Sequence, residues 1–446
     1  MTNMTRRDFF AAMSAAGAMA PLGTATKAPD IAAAAREAWI YGLPLIEVAN
    51  IRFNVASGRA SQGQNIGVNH LMHNRRLATA NSRSVTAPNV DTLYSGAFID
   101  LLGGPATITL PATGKRYISL QLMDMYTNSF CILGTRTTGP DGGTFTIVGP
   151  TQAADPGAIR APTPWIWALV RLLVDGPDDY AEANRIQDGI NLLTGSGRKP
   201  GSFATRDAVW HAYFESVQRL LAENPPPATD TAFFHRVAAL GLGPQGGFDR
   251  NRFSAAQITA IESGVKEAAD AVRAINFSAH PDNGWTYPLS DLGVWEQDYS
   301  TRAMVALGGL AALPLVEAMY CSPWSPDGKH LFTDNRLYKL SFPRGKLPPA
   351  YAFWSLTMYE RTPSGQSFLV DNRLNRYAIG DRTRELIYND DGSLNIWIGR
   401  EDPGGTRASN WLPAPKSGPY KLSMRCYLPK PELLNGGYKF PPVEAV

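Results

Sequence analysis

Two stretches of this chain, far apart in sequence, carry one pattern. Tyr117-Ile118-Ser119-Leu120-Gln121-Leu122-Met123-Asp124 aligns without gaps on Phe353-Trp354-Ser355-Leu356-Thr357-Met358-Tyr359-Glu360, and both read aromatic-x-Ser-Leu-x-aliphatic-x-carboxylate. A Leu-Pro turn precedes each copy, at Leu110-Pro111 and Leu347-Pro348. A glycine-flanked strand follows each, Thr144 to Val148 and Ser393 to Ile398. Short runs of this kind, bounded by turn residues, predict β-strands. We read a divergent repeat of one antiparallel β module. Coincidence between two similar edge-to-core strands is the competing account, and strand-for-strand agreement decides between them.

Between the copies the period changes. Val209, Trp210, Tyr213, Phe214, Val217, Leu220 and Leu221 recur at helical spacing, with Thr205 as a candidate N-cap and Pro225-Pro226-Pro227 as a stop. Phe233 to Leu240 and Ala255 to Ile275 read as further helices, and Ile31 to about Val48 as a helix opening the first module. Strands are expected at Leu93–Ile99, Thr107–Leu110, Tyr117–Phe130 and Thr144–Val148, and again from Tyr338 onward. The fold class is therefore α+β. The expected divisions are an N-terminal helix plus β module over 29–155, a mainly helical segment over 156–312 and a C-terminal β module over 313–446. With 41 glycines and 34 prolines in 446 residues, about one residue in six is a turn former, against roughly 12% on average. That surplus suits many short strands.

Charge and leader narrow the setting. With 42 basic against 39 acidic residues the chain has no overall field for nucleic acid, and no apolar run is long enough to span a membrane. Thr5-Arg6-Arg7-Asp8-Phe9-Phe10 ahead of an alanine-rich run reads as a twin-arginine export signal over 1–25, ending near Gly23-Thr24-Ala25. An ordinary amphipathic helix is the alternative there. The expected location is periplasmic or secreted. Cys131, Cys321 and Cys426 allow one disulfide at most.

Several residues could carry chemistry. By strand alternation Ile118, Leu120, Leu122, Asp124, Tyr126 and Asn128 share a face, which turns polar at Asp124. Asp124 and Tyr126 are the candidate catalytic residues, since a carboxyl on an apolar face has its pKa raised toward the range of proton transfer. A strand emerging into solvent is the competing reading. Asn89, Asp91 and Tyr94 in Ala87-Pro88-Asn89-Val90-Asp91-Thr92-Leu93-Tyr94, together with Asn128, are candidate substrate-binding residues, although Asn89 and Asp91 also suit an Asx turn. Arg376 and Arg382 could clamp an anionic group, or pair with Asp381. Trp411, beside Asn410, could stack on a sugar or simply pack. His70 and His73 are spaced for a shared metal but lack a recognisable third ligand, so no metal is assigned. Gly241-Leu242-Gly243-Pro244-Gln245-Gly246 matches the dinucleotide fingerprint in letters only; it follows a helix, and we read it as a helix C-cap. No motif identifies a cofactor.

The segments Thr86–Ser95 and Tyr117–Asn128 resemble the domain-of-unknown-function family numbered 1254. Phe353–Tyr359, Asn375–Arg382 and Asn410–Pro415 resemble its usual C-terminal partner, family 1214. The resemblance implies two β-sandwich or jelly-roll-like modules flanking the helices, an exported bacterial protein, and self-association as an open option. It carries no catalytic residue set. Two functions follow from the residues. One is an exported enzyme acting on a small organic or sugar-derived substrate by carboxylate acid/base chemistry. The other is a non-catalytic carbohydrate- or ligand-binding, envelope-associated protein.

Overall fold

The computed structural model describes residues 30–58, 67–83, 86–274, 281–288, 292–363 and 365–446, so the leader expected at 1–25 lies outside it. Helix α1 (Ile31–Ala56) starts where the Asp30 side chain accepts the Ala33 N–H at 3.1 Å. It continues through Pro44 and beyond Val48, where sequence periodicity had placed its end. Burial on nearly all sides explains this: tertiary packing outweighs the backbone hydrogen bond that proline removes.

The first module follows: β1 (Met72–His73), β2 (Thr92–Asp100), β3 (Ala106–Leu110), β4 (Ile118–Asp124), β5 (Ser129–Gly134), β6 (Gly143–Val148), β7 (Ile159–Arg160) and β8 (Trp165–Leu173). Helix α2 (Tyr180–Asp188) then leads to β9 (Asn191–Thr194). The strands form two sheets in the orders β1-β2-β8-β4-β5 and β7-β6-β3-β9. Ile108, Leu120, Leu122, Ile147, Ile166 and Val170 fill the space between them. The first module's strands thus run past residue 155, because β8 is inserted between β2 and β4 and β9 pairs with β3.

Helices α3 (Trp210–Glu223), α4 (Thr231–Arg236) and α5 (Ala255–Ala274) come next, then β10 (Trp285–Thr286) and α6 (Tyr299–Gly308). Val209, extended in conformation, caps α3 in place of Thr205. Gly241 ends the turn after α4 in the left-handed region, as expected of a C-cap. Helices α3, α5 and α6 pack around α1.

The second module comprises β11 (Ala318–Pro323), β12 (Tyr338–Phe342), β13 (Ala350–Arg361), β14 (Ser367–Leu369), β15 (Ala378–Gly380), β16 (Leu394–Gly399), β17 (Trp411–Pro413) and β18 (Tyr420–Pro429). A single-turn helix α7 (Pro431–Leu434) precedes β19 (Val443–Ala445). Its sheets run β10-β11-β18-β13-β14, with β15 also on β13, and β17-β16-β12-β19.

The two modules agree strand for strand. β2-β8-β4-β5 corresponds to β11-β18-β13-β15, and β7-β6-β3-β9 to β17-β16-β12-β19. Even the parallel pairs match, β6 with β7 and β16 with β17, while the other pairs are antiparallel. The repeat read from residues 117–124 and 353–360 is therefore a repeat of whole modules. The modules also meet through equivalent positions: the rings of Tyr117 and Phe353 touch at 5.7 Å between centroids. Contact between equivalent residues is what a self-complementary, twofold-like interface produces. The chain folds as a dimer of modules joined by helices.

Candidate functional site

One row of residues across each facing sheet sets the chemistry of the interface between the modules. In the first, Tyr94, Arg171, Ser119 and Gly134 lie side by side on β2, β8, β4 and β5. In the second, Tyr320, Arg425, Ser355 and Gly380 occupy the equivalent places on β11, β18, β13 and β15. Strand alternation sends Leu120 and Leu356 into the sandwich cores and leaves these rows on the opposite faces. The glycines are required because a Cβ at either would stand 2.2 Å from a carbonyl oxygen, of Ile118 or of Trp354.

Both arginines are almost fully buried. Arg171 donates to Gln121 Oε1 at 2.9 Å and to the Ala311 carbonyl at 2.7 Å, with its guanidinium 5.3 Å from the Tyr94 ring centre. Arg425 donates to Thr357 Oγ1 at 2.8 Å, to the Tyr359 hydroxyl at 2.7 Å and to the Ala87 carbonyl at 3.3 Å. These acceptors are all neutral. The buried carboxylates of the interface serve other partners. Glu317 accepts from Tyr117 and pairs with Arg136, and Asp91 pairs with Arg382 at 2.7 Å and accepts from Ser355 Oγ at 2.6 Å. Burial works against the charge on Arg171 and Arg425, the surrounding phenol oxygens favour it, as does the Asp91 carboxylate for Arg425, and the net direction for both is up. Burial also pushes the phenols of Tyr117, Tyr320 and Tyr427 up, so they stay neutral. Tyr320 is half-buried.

The segment from Thr86 to Asp91 straps the first module onto the second. Ala87 N–H donates to the Ser367 carbonyl, and the Pro88 carbonyl accepts from the Tyr359 hydroxyl. Asn89 Oδ1 accepts the N–H groups of Asp91 and Thr92 at 2.6 and 3.1 Å, the expected Asx geometry, while its Nδ2 donates to the Tyr427 hydroxyl at 2.7 Å. The guanidinium of Arg382 also lies 4.5 Å from the Phe353 ring centre and 3.7 Å from Asp381. Three residues singled out in the sequence, Asn89, Asp91 and Arg382, are thus brought together here, while Tyr94 stands beside Arg171 in the first row.

Asp124, Tyr126 and Asn128 form a separate locus against the helices. The strand stops at Asp124, so alternation does not continue to Tyr126 and Asn128: Thr127 is left-handed, and Asp124 accepts the N–H groups of Tyr126 and Asn128 at 2.9 and 2.8 Å and Asn128 Nδ2 at 3.0 Å. Burial pushes the Asp124 carboxyl up to about 6 against these hydrogen bonds. Tyr126 donates to the Asn224 carbonyl at 2.7 Å. Nearby, the buried Arg302 guanidinium lies among the rings of Tyr41, Tyr126 and Tyr299.

Arg376 and Trp411 stand apart from both places. Arg376 Nη1 donates to the carbonyls of Ala408, Ser409 and Trp411, and Trp411 is buried with its indole N–H on the Gly399 carbonyl. Each holds a loop. His70 contacts the Val68 carbonyl and His73 the Ser95 hydroxyl through Nδ1. Among the described residues no three His, Cys, Asp or Glu side chains gather. The cysteines are free thiols. Sequence reasoning missed Arg171 and Arg425, although Arg171 shows one signal, a lone arginine inside the otherwise apolar strand Trp165–Leu173; Arg425 shares Tyr420–Pro429 with Lys421 and Ser423 and shows none.

Fold and site define a tandem β-sandwich protein whose repeated modules enclose a polar, arginine-bearing interface beside a helical layer. The chain belongs to the protein families of unknown function DUF1254, matched over residues 68–194, and DUF1214, matched over 317–431. A crystal structure of a protein from Vibrio parahaemolyticus is similar at 22% identity and a TM-score of 0.67, covering 93% of this chain and 100% of that one, which shows the shared fold. An uncharacterized protein from Burkholderia cenocepacia aligns at 13% identity and a TM-score of 0.43, over 91% of this chain and 87% of that one. No curated protein matches the chain. No helix among the described residues is long and apolar enough to cross a membrane.

Proposed function

We propose that the chain binds a small organic anion, an organic acid or a carboxylated sugar, between its two β modules. The observation that carries this reading is the pair of buried guanidiniums, Arg171 and Arg425, whose hydrogen bonds all go to neutral acceptors. A buried guanidinium whose hydrogen bonds reach no carboxylate is costly, and a carboxylate is the group a guanidinium recognises best. Tyr94, Tyr320 and Asn89 would supply the neutral polar contacts around it. Calorimetric titration with a panel of mono- and dicarboxylates and sugar acids tests the reading. Binding should weaken at least about tenfold in Arg171→Gln and in Arg425→Gln. A wild-type chain that binds none of the panel, or variants that bind as well as wild type, would refute it.

The acid/base reading rests on a different observation, the Asp124 carboxyl held at about 6 by burial. Its oxygens are occupied by its own turn, which favours binding over catalysis as the reading of the whole. Turnover of any substrate found for the chain should survive Asp124→Asn if Asp124 only builds the turn. We further infer that the protein is exported in the folded state. Arg6→Lys with Arg7→Lys should leave the precursor in the cytoplasmic fraction, and unchanged export would end that inference.

A further inference from the structure

The two modules exchange ion pairs across their interface. Asp91, one residue ahead of β2, pairs with Arg382, two residues beyond Gly380 of β15. Glu317, one residue ahead of β11, pairs at 2.6 Å with Arg136, two residues beyond Gly134 of β5. Each module thus gives one carboxylate and one guanidinium to equivalent places on the other, as a twofold relation requires. The relation fails at the serines. Ser355 Oγ donates to the Asp91 carboxylate at 2.6 Å, and that carboxylate also favours the charge on Arg425 in the adjacent strand. The equivalent Glu317 turns to Tyr117, which donates to it at 2.8 Å. Ser119 Oγ is left buried without a hydrogen-bond partner, because the Tyr117 phenol gives its proton to Glu317 and stands outside hydrogen-bond geometry with Ser119. Its row neighbour Arg171 meets neutral acceptors only. An orphaned hydroxyl beside a buried cation marks a place for a polar group that the chain does not itself supply. The second module shows which group fits there, a carboxylate. Solvent reaches this face of the first module: Tyr94, Gly96, Leu169 and Ile132 border Arg171 and Ser119 on it and are only half-buried.

We propose, resting on the anion-binding reading, that Ser119 and Arg171 receive the carboxylate of an apolar organic acid, an aromatic or aliphatic monocarboxylate, in the way that Ser355 receives Asp91. The Ser119 hydroxyl donates to one carboxylate oxygen, and the Arg171 guanidinium supplies the opposing charge. The body of the acid lies along the next row of the same face, where Gly96, Leu169 and Ile132 offer apolar surface. Gln121, the one polar side chain of that row, is already committed to Arg171 and to Ser129 Oγ. A sugar acid, with a hydroxyl on nearly every carbon, would leave those hydroxyls unpaired against this row.

Calorimetric titration of the full chain with phenylacetate, hexanoate and glucuronate tests it, together with thermal unfolding of each variant. Phenylacetate and hexanoate should bind at least about tenfold more tightly than glucuronate. Ser119→Ala should weaken phenylacetate binding at least about tenfold, as loss of a hydrogen bond to a charged group does. Its melting temperature should equal or exceed that of wild type, because the free chain loses no hydrogen bond. Ser355→Ala, which strips a donor from Asp91, should melt lower. If wild type binds the apolar acids and Ser119→Ala binds them equally well, the Ser119 subsite is overturned while the anion-binding reading stands. A Ser119→Ala variant that melts as low as Ser355→Ala shows a structural hydroxyl and overturns the subsite too. Glucuronate binding as tight as that of phenylacetate overturns the apolar class, and this wild-type comparison decides even if a variant fails to fold. A wild-type chain that binds none of the three acids takes down both readings.

Discussion

Asp91→Ala tests whether the Thr86–Asp91 strap holds the modules together. The carboxylate is 5% exposed and pairs with Arg382, itself 21% exposed, at 2.7 Å. It also accepts the Ser355 hydroxyl at 2.6 Å. Removing one member of a buried pair costs about 3–5 kcal/mol, since the remaining charge stays in low dielectric. Here Arg382 keeps Asp175 at 3.4 Å and Asp381 at 3.7 Å, which lowers the cost. The orphaned Ser355 hydroxyl restores about 1 kcal/mol of it. The expected loss is therefore about 3 kcal/mol, read by urea unfolding followed by tryptophan fluorescence. Because the pair acts across the modules, Asp91→Ala should also speed proteolytic cutting between them. Asp91→Ala with Arg382→Ala should cost less than the two single variants added together, by about 2 kcal/mol. A single-variant loss below about 1 kcal/mol, or strict additivity in the cycle, would show that the pair is solvent-screened and not a clamp.

Asp124 makes stability depend on pH in a defined direction. Its carboxyl titrates at about 6 in the folded protein against 3.8 ordinarily, so its contribution is fully present below about pH 4 and is lost as pH rises through 6. The stability difference between wild type and Asp124→Asn should change by about 2 kcal/mol between pH 7.5 and 4.5, in favour of wild type at the acid end; a pH-independent difference argues against it. Gly380→Ala and Gly134→Ala each drive a Cβ to 2.2 Å from a carbonyl oxygen and should each cost more than about 2 kcal/mol in thermal unfolding. Asn89→Ala removes two turn hydrogen bonds and the Tyr427 contact, for an expected loss of about 2 kcal/mol in the same assay.

Much of the fold is legible in the residues themselves. The eight-residue match at 117–124 and 353–360 marks the duplicated strand, and the glycine-flanked segments that follow mark β6 and β16. Thr86–Ser95 is legible as a turn entering a strand, and the turn is there. The candidate site divides. Asn89, Asp91 and Arg382 converge although they are scattered over nearly 300 residues. Asp124 and Tyr126 do not join them, because Asp124 ends its strand and reverses the chain.

By itself the sequence determined what depends on near neighbours. Strand period, helix period, turn chemistry and the presence of two related β modules all follow from steric and hydrogen-bonding preferences within a few residues. The tertiary structure decided everything that joins distant residues. It set Arg171 beside Tyr94 and Ser119, repeated that row with Tyr320, Arg425 and Ser355, and turned the two rows toward one interface. It also placed Lys421 opposite Tyr359 where the first module pairs Trp167 with Met123. The face a residue presents is local, but the partner that covers the face is fixed only when the sheets pack.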